Sequence, residues 1–287
     1  MTKGPREPKP RGAAWTDERG TSEEGGQRLE SGPDASGEET AVVVGATGTI
    51  GQAVIRRLTR RGLPVVAVAR GQDDLDALSS GCDLVTPCPA DIGSNDAIQA
   101  IGMALSGLGG TVRMAVFAAG LPVRGSADSI DPDALAVGSN IKVGGLLRLL
   151  HAVRDRLVPG SRFVTFAGSL GLEPRAHEAG PGAVNAAVFN LMRQISLLYG
   201  PRGVTTHTLS PGPADTPRLR RIAAAVAAER GAAEEDVWQE YVAQNSLGRL
   251  PAADEIAWAV EMLLDPEAGI LHGSVLYLDA GGHRGIH

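Results

Sequence analysis

Three glycines spaced three residues apart, Gly45, Gly48 and Gly51, close a β-branched apolar run (AVVVGATGTIG, residues 41–51) and open directly onto a helical pattern. Strand, tight turn and helix in that order form a natural holder for phosphate. Gly45 permits the sharp turn, Gly48 lets backbone N–H groups approach a pyrophosphate, and Gly51 lets the helix pack close to the strand, with the helix N-terminus favouring the anion. Thr47, Thr49 and Ile50 belong to the same cradle. One other residue type carries acid–base chemistry. His177, in the loop of residues 173–180, titrates in the range useful to a general acid or base, or is simply a solvated surface histidine.

These residues need a scaffold, and the hydrophobic pattern supplies one. Strand-like runs occur at AVVVG, PVVAVA, DLVTPC, VRMAVFAAG, RFVTFAG, VTTHTLS and SVLYLD. Helical patterns lie at about 49–61, 94–107, 131–153, 183–200, 216–245 and 252–264. Apolar strands separated by helices predict an α/β fold, a single doubly wound parallel sheet of about seven strands flanked by helices. The helical stretch 216–245 is longer than a crossover needs. It follows a strand's carboxyl end, where ligands bind in such sheets, so it is either a substrate lid or a plain packed helix pair.

Composition narrows the function. Residues 1–39 are rich in Gly, Pro, Glu, Arg and Ser with almost no aliphatics, which predicts a disordered tail ahead of one domain over 40–287. A net charge of −6 argues against a nucleic-acid surface. No apolar run reaches membrane-span or signal-peptide form, which predicts no membrane association. Cys82 and Cys88 have neither metal-site spacing nor histidine company, so neither a disulfide framework nor a metal is expected and the cytoplasm is the default compartment.

Taken together, several further motifs resemble the short-chain dehydrogenase/reductase family over about Ala41 to Gly282. They are the Gly45–Gly51 turn, Asp91-Ile92, Ala118-Ala119-Gly120, Asn140, Ser169, Ser210-Pro211-Gly212-Pro213 with Thr216-Pro217, and Leu278-Asp279-Ala280-Gly281-Gly282. The glycine spacing is closer to the family's extended and divergent branches. The resemblance implies a Rossmann-type fold, a nicotinamide dinucleotide, a small-molecule substrate and a homodimer or homotetramer that pairs long helices, here Asp131–Val153 and Ala183–Tyr199. It also implies that Asp91 and Ile92 border the adenine, although Asp91 could instead cap the helix near Ser94. Ala118, Ala119 and Gly120 would let a flat cofactor lie on the backbone, and Pro211, Gly212 and Thr216 would complete the site. At the end of the second strand, Ala69-Arg70 offers no acidic residue to repel a 2′-phosphate and an arginine to receive one, so NADP(H) is expected over NAD(H), with no cofactor at all if the site is degenerate.

The departure from the family is chemical. There, a tyrosine exchanges the substrate proton and a lysine four residues later binds the nicotinamide ribose and lowers that tyrosine's pKa. Matching Gly-Ala-x-x-Ala-Ala places Pro181 at the tyrosine position and Asn185 at the lysine position. Proline has no proton to exchange and asparagine carries no charge, although its amide can still bond a ribose hydroxyl. No shifted pair rescues the motif, because Tyr199 is followed four residues later by Gly203 and Tyr241 by Asn245, and the one lysine outside the tail is Lys142. Counting without gaps from Arg162 puts Gly168 at the family's serine position, and a shift of one makes it Ser169, for which the resemblance implies a contact to a substrate carbonyl and the bare sequence an ordinary strand-end residue. Asn140 either anchors a relay water or bonds backbone in a bent helix. The expectation is an atypical oxidoreductase of this family, with a non-redox enzyme on the same scaffold or a catalytically inactive partner subunit as the alternatives.

Overall fold

The structure, a computed structural model, describes residues 38–121 and 123–285. The predicted tail therefore lies outside the described residues, except for its last two positions. Seven strands are present: β1 (Glu39–Val44), β2 (Val65–Ala69), β3 (Val85–Pro89), β4 (Thr111–Phe117), β5 (Arg162–Phe166), β6 (Thr205–Pro211) and β7 (Val275–Leu278). They form one parallel sheet in the order β3-β2-β1-β4-β5-β6-β7. The order reverses direction between β1 and β4, which opens a crevice at their carboxyl ends.

The strands are apolar throughout because both faces are covered. Alternate residues feed two cores. Val42, Val44, Val66, Val68, Phe117 and Phe163 pack on one face with α3 (Asp96–Leu108), α5 (Gly145–Val153) and α6 (Ala179–Tyr199). Val43, Val65, Ala67, Met114, Val116 and Leu209 pack on the other with α1 (Thr49–Arg60) and α9 (Ala253–Met262). Ion pairs of Arg57 with Asp254 and Glu261, and of Arg61 with Glu261 and Asp265, tie α1 to α9 and its following turn.

Two differences from the sequence pattern have local causes. Helix α2 (Gln72–Ser80) has no counterpart in the predicted set, since its only buried side chain is Leu75 and it carries no apolar stripe. Helix α6 begins at Ala179 rather than near 183, with Pro181 in its first turn, where a backbone N–H has no intrahelical acceptor to lose. The stretch 216–245 is a helix pair, as one of the two sequence readings has it: α7 (Pro217–Arg230) and α8 (Glu234–Val242). They pack on each other through Ala223, Ala227 and Val237, a small core separate from those of the sheet. The remaining helix, predicted over 131–153, is α4 (Pro132–Ser139) running through a π-helical turn (Asn140–Gly144) into α5.

Candidate active site

The crevice is a continuous trough. Its first part, about 400 Å³, is lined by Gly45, Thr47, Gly48, Ala69, Arg70, Asp91, Ile92 and Ala118 to Leu121. The next part shares Gly48 and Ala118 to Leu121 and adds Thr49, Ile50, Gly51, Lys142, Phe166, Gly168, Asn185, Pro211 and Thr216. The last shares Gly168, Asn185 and Pro211 and adds Ser169, Pro181, Gly212, Leu219, Ile222, Tyr241 and Gln244. The trough thus runs from the glycine turn to α7 and α8 over the strand ends.

The glycine turn is fixed by close backbone approach. Gly45 has φ +83°, and a Cβ there would lie 2.7 Å from the Ala118 carbonyl. A Cβ on Gly51 would lie 2.1 Å from the Gly45 carbonyl oxygen. Only glycine satisfies both, and the result is that the N–H groups of Thr49, Ile50 and Gly51 open helix α1 without a side-chain cap or another acceptor among the described residues. Unsatisfied N–H groups at a helix N-terminus, facing a cavity, suit a pyrophosphate. Gln52 donates to the Thr47 carbonyl at 2.8 Å and stiffens the turn.

Beside the glycine turn, Asp91 Oδ1 accepts from the Gly93 N–H at 2.9 Å, a local turn in the loop after β3, and does not cap α3, whose N-cap is Asn95. Its carboxylate still lines the trough beside the buried Ile92. Arg70 is exposed at the end of β2 and makes no ion pair among the described residues. These features fit a dinucleotide: a cradle a methyl group would fill, free helix N–H groups and an unpaired cation beside the second strand.

At the chemical end the residues divide. Pro181 and Asn185 stand one turn apart on α6 and both line the last part of the trough. Asn185 is buried, yet its amide makes no hydrogen bond among the described residues, and its Nδ2 lies beside Gly168. Ser169 heads a short 3₁₀ turn (Ser169–Gly171) in the same part, and its carbonyl holds the Leu172 and Glu173 N–H groups. Thr216 lines the trough while capping α7, accepting from the Leu219 N–H at 3.3 Å.

Two candidates stand apart. His177 is exposed and opens on an adjoining cavity with Ser129, Arg124 and Arg230, not on the part that holds Ser169 and Asn185. Asn140 has its amide engaged on both sides: Nδ2 donates to the Gly93 carbonyl at 2.8 Å and Oδ1 accepts from Arg148 at 2.8 Å. This is the backbone-bonding role in a bent helix.

Four residues that the sequence left unassigned reach the site. Arg218 of α7 extends over Gly120 and donates to the Leu121 carbonyl. Tyr241 and Gln244 of α8 face the last part of the trough, where Gln244 Oε1 accepts from Arg175 at 3.0 Å. Lys142, in the π-helical turn, is 6% exposed and donates to the Phe166 and Ala119 carbonyls at 2.7 and 3.0 Å. Burial, and secondarily the charge of Arg218, hold its ammonium down at about 8. For Lys142 the available signal was its isolation: a single lysine within an apolar helical stretch.

The chain resembles known proteins over this whole region. A family model described as enoyl-(acyl carrier protein) reductase matches residues 45–283. A cis-4-hydroxycyclohexanecarboxylate dehydrogenase of Sinomonas cyclohexanicum is 29% identical over 255 residues, covering 86% of this chain and 98% of that protein. The short-chain reductase protein NovJ of Streptomyces niveus is 26% identical over 259 residues, covering 86% and 94%. The crystal structure of YwfH, described as an NADPH dependent reductase involved in bacilysin biosynthesis, superposes with a TM-score of 0.80 at 19% identity, covering 87% of this chain and all of that one.

Proposed function

Since the chain belongs to the short-chain dehydrogenase/reductase family, we propose that it is an NADP(H)-dependent oxidoreductase interconverting a carbonyl and a hydroxyl on a small organic molecule through a non-standard catalytic site. The observation that carries this reading is the single trough joining the Gly45–Gly51 turn to Asn185 and Ser169. The dinucleotide, when bound, supplies the hydride chemistry; the chain's share is to hold it and to orient and protonate the substrate. The turn and the free N–H groups of α1 bind the pyrophosphate, Asp91 and Ile92 border the adenine, and the Asn185 amide bonds the nicotinamide ribose. Pro211, Gly212 and Thr216 close the far side. Helices α7 and α8 cover the substrate, which meets Ser169 and Tyr241.

NADP(H) over NAD(H) is supported by Arg70 without an acidic neighbour at Ala69, and by the NADPH dependence in the description of YwfH. A second reading, a non-redox enzyme on this scaffold, is favoured by one observation: Pro181 leaves no phenol where the family places its proton carrier. Equilibrium titration with NADPH and with NADH, followed by nicotinamide fluorescence, tests the first reading. NADPH binding that weakens on Arg70→Ala supports it, and failure to bind either nucleotide overturns it.

The assembly belongs to the proposal as well. Leu197 and Leu198 near the end of α6 are 63% and 68% exposed, and Val137 on α4 is 56% exposed. Such faces fit a homodimer or homotetramer built on these helices, and a monomer in light scattering would refute it. A cytoplasmic location fits the two free thiols, Cys82 and Cys88. No helix among the described residues is long and apolar enough to cross a membrane.

A further inference from the structure

We propose that the Lys142 ammonium is the proton donor to the substrate's carbonyl oxygen in the reductive direction, and its amine the proton acceptor in the reverse direction. This rests on the oxidoreductase reading above. Helix α6 supplies a proline and an asparagine where a phenol and a cation are needed; a different helix delivers the only buried lysine of the described chain to the same cavity.

The delivery follows from the π-helical turn. Between α4 and α5 the helix widens over Asn140–Gly144, a local irregularity that re-aims side chains and recurs at functional sites. Asn140 turns away to Gly93 and Arg148. Lys142, two residues on, turns inward beneath the carboxyl ends of β4 and β5. An ammonium has three N–H groups. Two are taken by the Ala119 and Phe166 carbonyls. The third has no acceptor among the described residues, and Lys142 lines a cavity with Gly168 and Asn185, where the family's serine and lysine positions meet.

Among the described residues, no carboxylate pairs with this cation. Nζ lies 5.6 Å from the Phe117 ring of β4 and bonds the Ala119 carbonyl just after β4 and the Phe166 carbonyl of β5, and the cavity it borders is lined further by Asn185 on α6 and by Arg218 and Arg221 on α7. Both charged groups among them are positive. A structural lysine that is buried ordinarily gains a paired carboxylate. Lys142 instead has a depressed pKa of about 8, because burial and then Arg218 disfavour its charged form. That value suits proton exchange near neutral pH far better than an ordinary lysine does.

The step balances. The carbonyl carbon takes a hydride, with its electron pair, from a reduced nicotinamide, which leaves oxidised. The carbonyl π pair moves to oxygen, the oxygen takes a proton from Nζ, and the neutral amine regains a proton from water.

The test uses the full chain labelled with ¹³C-lysine. The sequence holds three lysines, Lys3, Lys9 and Lys142, and Lys142→Met removes and so assigns one of three ¹³Cε signals. Lys142 is expected to titrate near 8, against about 10.4 for the tail lysines. With NADPH and a panel of carbonyl compounds, wild-type turnover in the reductive direction should fall above that midpoint, and in the oxidative direction it should rise. Lys142→Met should lose about 100-fold or more in kcat while NADPH affinity changes by less than about threefold. Lys142→Arg keeps the charge but does not release a proton near neutral pH, and should lose as much as the Met variant; it decides the matter if the Met variant fails to fold. A Lys142 midpoint at the ordinary lysine value overturns the proposal, as does a variant within about threefold of wild-type turnover. Wild-type protein that binds NADPH but consumes it with no carbonyl compound overturns the oxidoreductase reading itself, and the proposal with it.

Discussion

At the nucleotide end of the trough, one added methyl group meets backbone: the Cβ positions of Gly45 and Gly51 fall 2.7 and 2.1 Å from carbonyl atoms. At the lid end, the trough is bordered by exchangeable side chains, Leu219, Ile222, Tyr241 and Gln244, on two helices that bury only Ala223, Ala227 and Val237 between them. The first end belongs to the sheet and shares its cores. The second carries its own small core and is joined to the loop after β5 by the Arg175–Gln244 hydrogen bond. On the function proposed above, the contrast teaches that phosphate recognition rests on backbone geometry, which tolerates almost no change, whereas the chemistry rests on side chains. Such a site can exchange a tyrosine for Pro181 and recruit a lysine from another helix without disturbing the fold.

Substitutions can break that contrast. Phe163→Ala, in the sheet core, should lower the global unfolding free energy by about 3–5 kcal/mol, whereas Val237→Ala in the lid should cost about 1–2 kcal/mol and act chiefly on substrate KM. Urea unfolding followed by circular dichroism, with steady-state kinetics beside it, checks both; equal losses of stability would show the lid and sheet to be one cooperative unit. Gly51→Val should weaken NADPH binding by about 100-fold or more, since either the helix or the Gly45 turn must shift. Retained binding in a fluorescence titration would mean the turn is more pliant than its geometry implies.

The sheet end should also answer to acid. His207 on β6 is fully buried, and burial, then the charges of Arg162 and His272, push its imidazole down to about 4. A base whose folded pKa is depressed is protonated first in the unfolded chain. Its stabilising effect is therefore complete above pH of about 6.5 and is lost as pH falls from there to about 4, with a loss on the order of 2–3 kcal/mol. Urea midpoints measured across that range should fall in wild type and flatten in His207→Asn. The smallest effect expected is at the nucleotide's edge. Arg70→Ala should weaken NADPH about 10-fold and NADH hardly at all, and equal weakening of both would remove the 2′-phosphate assignment.

Much of the fold was legible because a doubly wound sheet writes itself into sequence. Each strand is a short apolar run, and all seven runs became strands. Helix α2 was illegible because Leu75 alone is buried on it, so no period repeats. The helix pair within 216–245 was one of the two readings the sequence offered, because the stretch is longer than a crossover needs; the point of the break was not marked, since both halves share helical composition. The glycine turn was readable from spacing alone, since its constraint lies within one strand–helix unit. Lys142 was not. It lies 43 positions before Asn185, and only the adjacency of β4 and β5 brings the two to one cavity. Likewise, Asn140 and His177 have types suited to catalysis, but where their side chains lie depends on a π-helical turn and on the course of a loop, neither of which spacing encodes.

The end of the chain reaches back to the substrate side of the molecule. Glu173, in the loop that follows Ser169, accepts from the Arg284 and Gly285 N–H groups at 2.8 and 3.1 Å and pairs with His283, whose ring stacks on Tyr277. Residues 283–285 therefore act as a latch on the loop between β5 and α6. A change at residues 283–285 is thus transmitted to the loop that borders Ser169, although the two segments lie far apart in sequence.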